Sequence, residues 1–252
     1  MRAMRSAVAL VVLVCFNTWT MAASVQVTSV TGSVTAQTGT GPEQRLRAGD
    51  ILAQRAVVAT GQGSTVVLRF DDGQVVALKS LSRFTVESYN FDPKNPGAGE
   101  IIMSLFSGGM RAITGLVGNS NRSAFALKTP VATIGIRGTD FVAALSQGLY
   151  AHPSSGAISV TSTKGTAVYS AGQFSFTASS TALPASIPAS ALPVGIFNEL
   201  QAIVIPTAGG AAAGATVGGF TGTTLGVIGI IAVGVGAAAA AASGGGSTTT
   251  HH

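Results

Sequence analysis

Apolar and polar residues alternate along short stretches of the first 180 or so residues, and glycine-containing turns separate these stretches. Residues 25–38, VQVTSVTGSVTAQT, show this period of two on both sides of Gly32. Such a period is that of a strand with one buried side. Similar runs continue to residue 177, and no convincing helical periodicity occurs before residue 195. The pattern predicts an all-β fold, as a sandwich, a barrel or a short solenoid.

One turn in this pattern is especially clear. Asp71-Asp72-Gly73 separates the strand-like residues 65–70 from residues 74–78. Asp and Gly tolerate positive φ, so this sequence predicts a hairpin. A turn explains the two aspartates better than paired catalytic carboxylates or calcium ligands do, because adjacent side chains on a strand point to opposite sides.

The stretch TPVATIGIRGTDF, residues 129–141, places two charges among β-branched residues and glycines. A turn at Gly138 and Thr139, between strands at 132–137 and 140–146, would bring Arg137 close to Asp140. The Thr139 hydroxyl could bond to the backbone of that turn. We predict a buried structural ion pair between Arg137 and Asp140 that holds two strands in register. The alternative is that Arg137 faces outward and binds a carboxylate of a partner.

The composition limits the classes of partner and of chemistry. Apolar residues reach 46%, charged residues only 9%, and the formal charge is +5. The cations form no basic stripe and are not interleaved with aromatic residues, so no nucleic-acid partner is expected. His152 begins the sequence HPSSG, residues 152–156, which is interpreted as a loop. It has no neighbouring histidine or cysteine in the sequence, and no G-x-S-x-G motif or metal-ligand spacing occurs. The sequence therefore predicts a protein that is not an enzyme and that uses no cofactor or metal.

The first 23 residues have the features of a secretion signal. Arg2 and Arg5 precede the apolar run AVALVVLVCF, and small residues follow it. The run is short for a membrane span, which disfavours the alternative of an uncleaved anchor. Cys15, the only cysteine, lies within this segment, so the mature chain is expected to lack disulfides. We expect an exported protein, either periplasmic or associated with an envelope membrane.

The composition changes again after residue 178. Residues 179–198 contain three prolines and are typical of a linker. Residues 199–243 form an apolar segment, and the polar residues 244–252 are expected to be disordered. A four-residue repeat of glycine within the apolar segment is typical of close helix packing. Its members are Gly210, Gly214, Gly218, Gly222 and Gly226.

We therefore predict a helical glycine zipper, with membrane association or self-association through residues 202–242. A flexible Gly/Ala tail is the alternative, because glycine lowers helix stability.

Several motifs occur in order between residues 30 and 145. They include L-x-x-G-D at residues 46–50, T-G-x-G-x-x-V-x-L at 60–68, and L-x-x-G-x-x-R at 105–111. The last is T-P-x-A-x-I-G-I-R-G-T-D-F at residues 129–141. Together these motifs resemble the FecR domain, the periplasmic sensor part of the ferric-dicitrate regulator. The motif residues singled out are Gly49, Asp50, Gly135, Gly138 and Thr139.

The resemblance implies an exported β domain at residues 24–178, of solenoid-like or twisted-sandwich form, that acts through protein contact and signalling. Only a signal peptide precedes this domain, so no cytoplasmic anti-sigma segment is expected. We therefore predict a stand-alone module that binds an unidentified envelope protein or glycan. The alternative is a periplasmic component of a signal-transduction pathway of the ferric-dicitrate regulator type.

Overall fold

The computed structural model describes residues 23–205. The chain divides into two units, residues 1–209 and 210–252, and every described residue belongs to the first. Most of the predicted signal sequence, the glycine repeat and the polar end therefore lie outside the described residues.

Within residues 23–205 the chain forms fifteen strands and two α-helices of five residues each. The strands are β1 (Val25–Thr31), β2 (Val34–Thr38), β3 (Gln44–Arg45), β4 (Ala56–Thr60), β5 (Thr65–Phe70), β6 (Val75–Leu78), β7 (Arg83–Asn90), β8 (Glu100–Ser107), β9 (Gly109–Ile113), β10 (Phe125–Lys128), β11 (Thr133–Leu145), β12 (Leu149–Ser162), β13 (Gly165–Ser170), β14 (Phe174–Thr177) and β15 (Ala185–Ile187). The helices are α1 (Leu116–Ser120) and α2 (Asn198–Ala202).

All strands belong to one curled, mixed sheet. Its main path runs β1-β5-β6-β9-β11-β10-β8-β7-β4-β2-β3, and β12, β13, β14 and β15 extend it from β11. The pairing of β10 with β8 is parallel, whereas the other strand pairings are antiparallel. The prediction of an all-β, twisted-sandwich or solenoid-like domain is confirmed. The predicted C-terminal Gly/Ala helix lies outside the described residues.

One large apolar cluster fills the inner side of the curled sheet. It contains the fully buried rings of Phe70, Phe84, Tyr89 and Phe141. The Phe70 and Tyr89 rings meet edge to face with their centres 5.0 Å apart, a favoured geometry for aromatic pairs. Alternate residues of most strands reach this core, because successive side chains of a strand point to opposite sides.

The predicted hairpin at residues 71–73 is present and joins β5 to β6. Val66 lies opposite Leu78, and Arg69 lies opposite Val75. Gly73 adopts φ 84°, the left-handed conformation that glycine accepts readily. Local turn chemistry was sufficient to predict this element.

Two other predictions near the centre of the sheet were wrong. Residues 133–145 form the single strand β11, where two strands joined by a turn were predicted. Residues 152–156, HPSSG, were predicted as a loop but lie inside the fourteen-residue strand β12. Both strands continue because they pair with each other from Thr133 opposite Thr161 to Leu145 opposite Leu149.

The segment after residue 178 packs on the outer side of the sheet. Strand β15 pairs with β14, although residues 179–198 were interpreted as a linker. Beyond it, Ile196, Phe197 and Leu200 pack against Val142 and Ala144 of β11. Their apolar side chains are buried there because the sheet presents a matching apolar surface.

Candidate binding surface

The R-G-T-D sequence forms a bulge at the middle of β11. Gly138 has φ 64°, and Gly156 on the paired strand β12 has φ 67°. The regular pairing of Arg137 with Ala157 shifts before Asp140 pairs with Ser155. A Cβ atom at Gly156 would lie only 1.9 Å from the Gly138 carbonyl oxygen. The two glycines therefore allow a close backbone approach that other residues would block.

This bulge reverses which residues of β11 face the core. Before it, Ile134 and Ile136 belong to the main core cluster, whereas after it Phe141 and Ala143 do. The extra residue in the strand changes the inward positions from even to odd numbers. Thr139, which is buried within the bulge, accepts a hydrogen bond from the Thr114 hydroxyl at its carbonyl oxygen, at 2.9 Å.

The structure corrects the predicted ion pair, because Asp140 pairs with Arg111 of β9 and not with Arg137. Nε of Arg111 donates to Oδ1 of Asp140 at 2.9 Å, and one terminal guanidinium nitrogen donates to Oδ2 at 2.6 Å. Both side chains are mostly buried, with exposures of 25% and 20%. The pairing raises the pKa of Arg111. The bulge and the β9–β11 register, which sequence spacing does not show, bring these groups together.

Arg137 instead projects outward. Its residue is exposed, and its side chain forms no ion pair or hydrogen bond with any described residue. The outward orientation of Arg137, given as the alternative from the sequence, is thus the one observed, and its binding of a partner carboxylate stays a prediction. A solvated guanidinium with all its donors free can bind a carboxylate in a two-bonded geometry.

Arg137 lies on what we call the open outer side, formed by β7, β8, β10, the first half of β11, the second half of β12, and β13. No apolar cluster of the described residues packs against these outward positions. The side chains are mostly small and polar. They are those of Glu87, Ile102, Ser104, Ala126, Lys128, Thr133, Gly135, Arg137, Ala157, Ser159, Thr161, Thr166, Val168 and Ser170.

Two of the charges on the open outer side neutralise each other. Nζ of Lys128 lies 2.6 Å from Oε2 of Glu87, and the Ser104 hydroxyl donates to Oε1 of the same carboxylate. These bonds lower the pKa of Glu87, the Lys128 hydrogen bond being the main cause. Among the described residues, no carboxylate forms an ion pair with Arg137, so its positive charge on this surface is not neutralised.

The opposite part of the outer side is covered, and we call it the covered outer side. It is formed by β5, β6, β9, the second half of β11, the first half of β12, and β14. Residues 192–205 pack over it, with Ile203 contacting both of the outer apolar clusters. The Glu199 carboxylate fixes this cover, because the Ser80 N–H and hydroxyl donate to it at 3.0 and 2.6 Å.

His152 has a structural role beneath this cover. Its ring stacks on Phe174 with the ring centres 4.2 Å apart, and Nδ1 lies 2.9 Å from the Gln173 carbonyl oxygen. Among residues 23–205 there is no group of three His, Cys, Asp or Glu side chains able to hold a metal ion. The same residues include no helix both long and apolar enough to cross a bilayer.

Sequence reasoning missed a buried carboxylate, Asp72 in the β5–β6 turn. Its Oδ1 accepts from Gln74 N–H at 3.1 Å, and its Oδ2 accepts from Val117 N–H of α1 at 3.2 Å. The Tyr89 hydroxyl lies beside it and accepts from the Asp72 N–H at 2.8 Å.

Burial raises the pKa of the Asp72 carboxyl, although the hydrogen bonds oppose that shift, and burial also raises the pKa of Tyr89. Asp72 thus anchors α1 to the hairpin. The D-G motif predicted the turn, but it did not indicate the contact between Asp72 and α1.

The remaining motif residues make contacts within the fold. Gly49, with φ 96°, donates its N–H to the Val27 carbonyl at 2.8 Å, and the Asp50 carbonyl accepts from Val27 N–H at 2.8 Å. The L-x-x-G-D motif therefore covers the free edge of β1. Gly135 lies against Ser159, where a Cβ atom would be 2.7 Å from the serine hydroxyl. The five glycines of the repeat, from Gly210 to Gly226, lie outside the described residues.

Comparison with protein families agrees with the motifs. Residues 56–168 match the family model described as FecR protein. Residues 56–168 thus form a FecR-family domain. The match includes β11, its bulge and the Arg111–Asp140 pair, as well as most of the open outer side. It supports a domain of the signal-transduction regulator type.

Solved structures give more distant likenesses. Two crystal structures of a protein provisionally described as an anti-sigma factor, from Parabacteroides distasonis ATCC 8503, match with TM-scores of 0.42 and 0.41. Each is 11% identical over 52% of this chain, and the match spans 58% of the solved chain. The curated proteins give no match.

Proposed function

We propose that this chain is a non-enzymatic regulatory protein whose FecR-family domain binds a protein partner through the open outer side. The family match supports the regulatory class. The sequence of residues 1–23 supports export, so the partner is an envelope protein. The domain acts by contact, and the partner presents a carboxylate to Arg137.

The observation that carries this proposal is the contrast between Arg137, on the open outer side, and Arg111 of β9. Arg111 is held by Asp140, whereas Arg137 is solvated and has no described partner. Small neighbours such as Gly135 and Ser159 leave room for another chain to approach the guanidinium. A charged hydrogen bond formed there on binding is worth more than a neutral one.

Site-specific photo-crosslinking in cells tests this role. A photoreactive residue at Ser159, on the open outer side, is expected to capture one defined partner, and the same residue at exposed Thr31 is not. Arg137→Ala should reduce the Ser159 crosslink about tenfold, as expected for loss of a charged hydrogen bond. The matched variant Arg47→Ala removes an exposed arginine from another part of the surface. Equal loss with both variants, or equal crosslinking at both positions, would contradict the proposal.

The family match also favours a second candidate, a periplasmic component of a signal-transduction pathway of the ferric-dicitrate regulator type. In that case deletion of the gene changes a defined set of transcripts. Restoring the wild-type chain should reverse the change, and restoring Arg137→Ala should not. An unchanged transcript profile after deletion would exclude this candidate while leaving partner binding to be decided by the crosslinks.

The apolar residues 202–242 provide the attachment in this proposal, either to a membrane or to other copies of the chain. Fractionation of the full chain against a version ending at Ile205 tests it. Residue 205 is the appropriate end point because ending at residue 177 would remove the cover of the outer side. The full chain should sediment with membranes or large assemblies and the shorter chain should remain soluble. The same solubility for both would show that these residues attach the protein to nothing.

A further inference from the structure

Four strands of the described sheet have a partner on one side only: β1, β3, β13 and β15. Three of these edges are protected. Backbone hydrogen bonds from residues 49–52 cover β1, and β3 has only two residues. Strand β15 has three residues and lies between Pro184 and Pro188. Short edges and flanking prolines are known ways to prevent strand addition.

Strand β13 lacks these protections. It has six residues, GTAVYS, with no proline and no charge, and it pairs only with β12. Val168 at its centre is 48% exposed. An uncharged, regular edge of this length is able to accept another strand.

The hydrogen bonding shows which groups of β13 are available. Ala171 N–H donates to the Gly156 carbonyl at 2.9 Å, so the neighbouring pair Ala157–Ser170 is not itself hydrogen-bonded. Ala167 and Tyr169 then bond to β12, and the backbone groups of Thr166 and Val168 point to the free edge. The N–H and the carbonyl of Ser170 are both taken by Gln173.

We propose that the edge of β13 binds the same edge of a second copy of this chain, in antiparallel orientation about a two-fold axis at Ala167. Thr166 of each copy then exchanges both backbone hydrogen bonds with Val168 of the other, which satisfies all four free groups on each edge. Such an interface is isologous and closes at a dimer. It differs from any association through residues 202–242, and it does not depend on the proposed partner.

The charges near β13 fit a second copy. Lys164 is the charged residue next to the strand, and in this register it lies opposite the uncharged Ser170 of the other copy. The two Lys164 residues are then separated by six strand positions, or about 20 Å, beyond effective repulsion at physiological salt. Because one strand edge is a small interface, the dimer forms in a concentration-dependent manner.

Disulfide crosslinking tests the register in the full chain carrying Cys15→Ala, where an introduced cysteine is the only one. Two Ala167→Cys residues would face each other in a non-hydrogen-bonded pair, whose Cα atoms are about 4.5 Å apart. This distance allows a disulfide. Two Val168→Cys residues would be about 8 Å apart, which is too far. Mild oxidation should therefore give at least about ten times more dimer with Ala167→Cys than with Val168→Cys.

Sedimentation equilibrium gives a second measurement without cysteines. Val168→Lys places two positive charges at the paired edge and should weaken dimerisation at least about tenfold, whereas Val168→Thr should preserve it. Equal crosslinking at both positions, or a dimer unaffected by Val168→Lys, would overturn the proposal. The proposal would also be overturned if the chain is monomeric and Val168→Lys abolishes binding of a partner protein. The occupant of the edge would then be that partner.

Discussion

The covered and open outer sides belong to the same curled sheet, but residues 192–205 pack on only one of them. On the covered outer side, β11 presents Val142 and Ala144, and residues 192–205 pack on them. On the open outer side the same strand presents Thr133, Gly135 and Arg137. Apolar side chains exclude water once they are covered, whereas small polar ones remain hydrated at little cost. The sheet therefore has one outer side used for stability and another available for contact.

The bulge at Gly138 and Gly156 is the boundary between these two sides. On its N-terminal side in β11 the even-numbered residues face the core, and beyond it the odd-numbered residues do. Arg137 and Asp140 are three residues apart and both face outward, but only Asp140 reaches Arg111. The bulge thus separates the position that forms an ion pair from the position whose guanidinium is free.

The largest expected effect on stability comes from a substitution in the bulge that separates the two outer sides. Gly156→Ala places a methyl group against the Gly138 carbonyl and retains a positive φ, so we expect a loss of about 3 kcal/mol or more in the free energy of unfolding. Gly172→Ala is the matched control, since it has φ 86° and no atom within 4 Å of its Cβ position. It should cost about 1–2 kcal/mol. Urea unfolding measures both, and equal losses would refute a close approach at the bulge.

Truncation of the cover should have the next largest effect. Leu200 is fully buried over β11, so Leu200→Ala should lower the free energy of unfolding by about 2–4 kcal/mol. Val168→Ala on the open outer side is the control and should change it by less than about 0.5 kcal/mol. Similar values for the two variants would mean that the two outer sides do not differ in their contribution to stability.

A double-mutant cycle sharpens the comparison of the two arginines. For Arg111→Met with Asp140→Asn we expect a coupling free energy of about 1 kcal/mol, because the pair is two-bonded and mostly buried. For Arg137→Met with Asp140→Asn the coupling should be near zero. Thermal unfolding of the single and double variants gives both values. A larger coupling for Arg137 would restore the ion pair predicted from the sequence.

The smallest expected effect is a pH dependence of the cover. The hydrogen bonds from Ser80 lower the pKa of Glu199 below its usual 4.5. A lowered folded-state pKa means that the contact stabilises the cover above pH 4.5 and is lost as the pH falls through the lower value. Hydrogen-exchange protection of the Ser80 amide should decrease in that range, and Glu199→Gln should remove the change.

A local measurement is needed for this last effect because Asp72 titrates in the opposite sense. Burial raises the Asp72 pKa, so its contribution to stability is larger at low pH and is lost as the pH rises through the raised value. Global unfolding would combine the two groups. If Ser80 protection in the Glu199→Gln variant followed the same pH curve as in the wild type, Glu199 would not be the group that holds the cover.

Features that depend on nearby residues could be predicted from the sequence. The hairpin at Asp71–Gly73 was predicted because its turn chemistry is contained in three residues. The FecR-family domain was predicted because its motifs keep their order and spacing along the chain. The continuity of β11 was not predicted, because the conformation of Gly138 depends on Gly156 of another strand. The role of Asp72 was missed for the same reason, since its second contact is Val117, 45 residues away.

By itself the sequence determined the class of fold, the hairpin turn at residues 71–73, and the presence of an arginine within a family motif. The tertiary structure decided that Asp140 pairs with Arg111 and not with Arg137. It also decided which outer side is covered. Alternation along a strand shows that two sides exist, but it does not show which side a later segment will bury. That choice depends on contacts such as Arg111 with Asp140 and Leu200 with Val142, which form only when distant residues are brought together by folding.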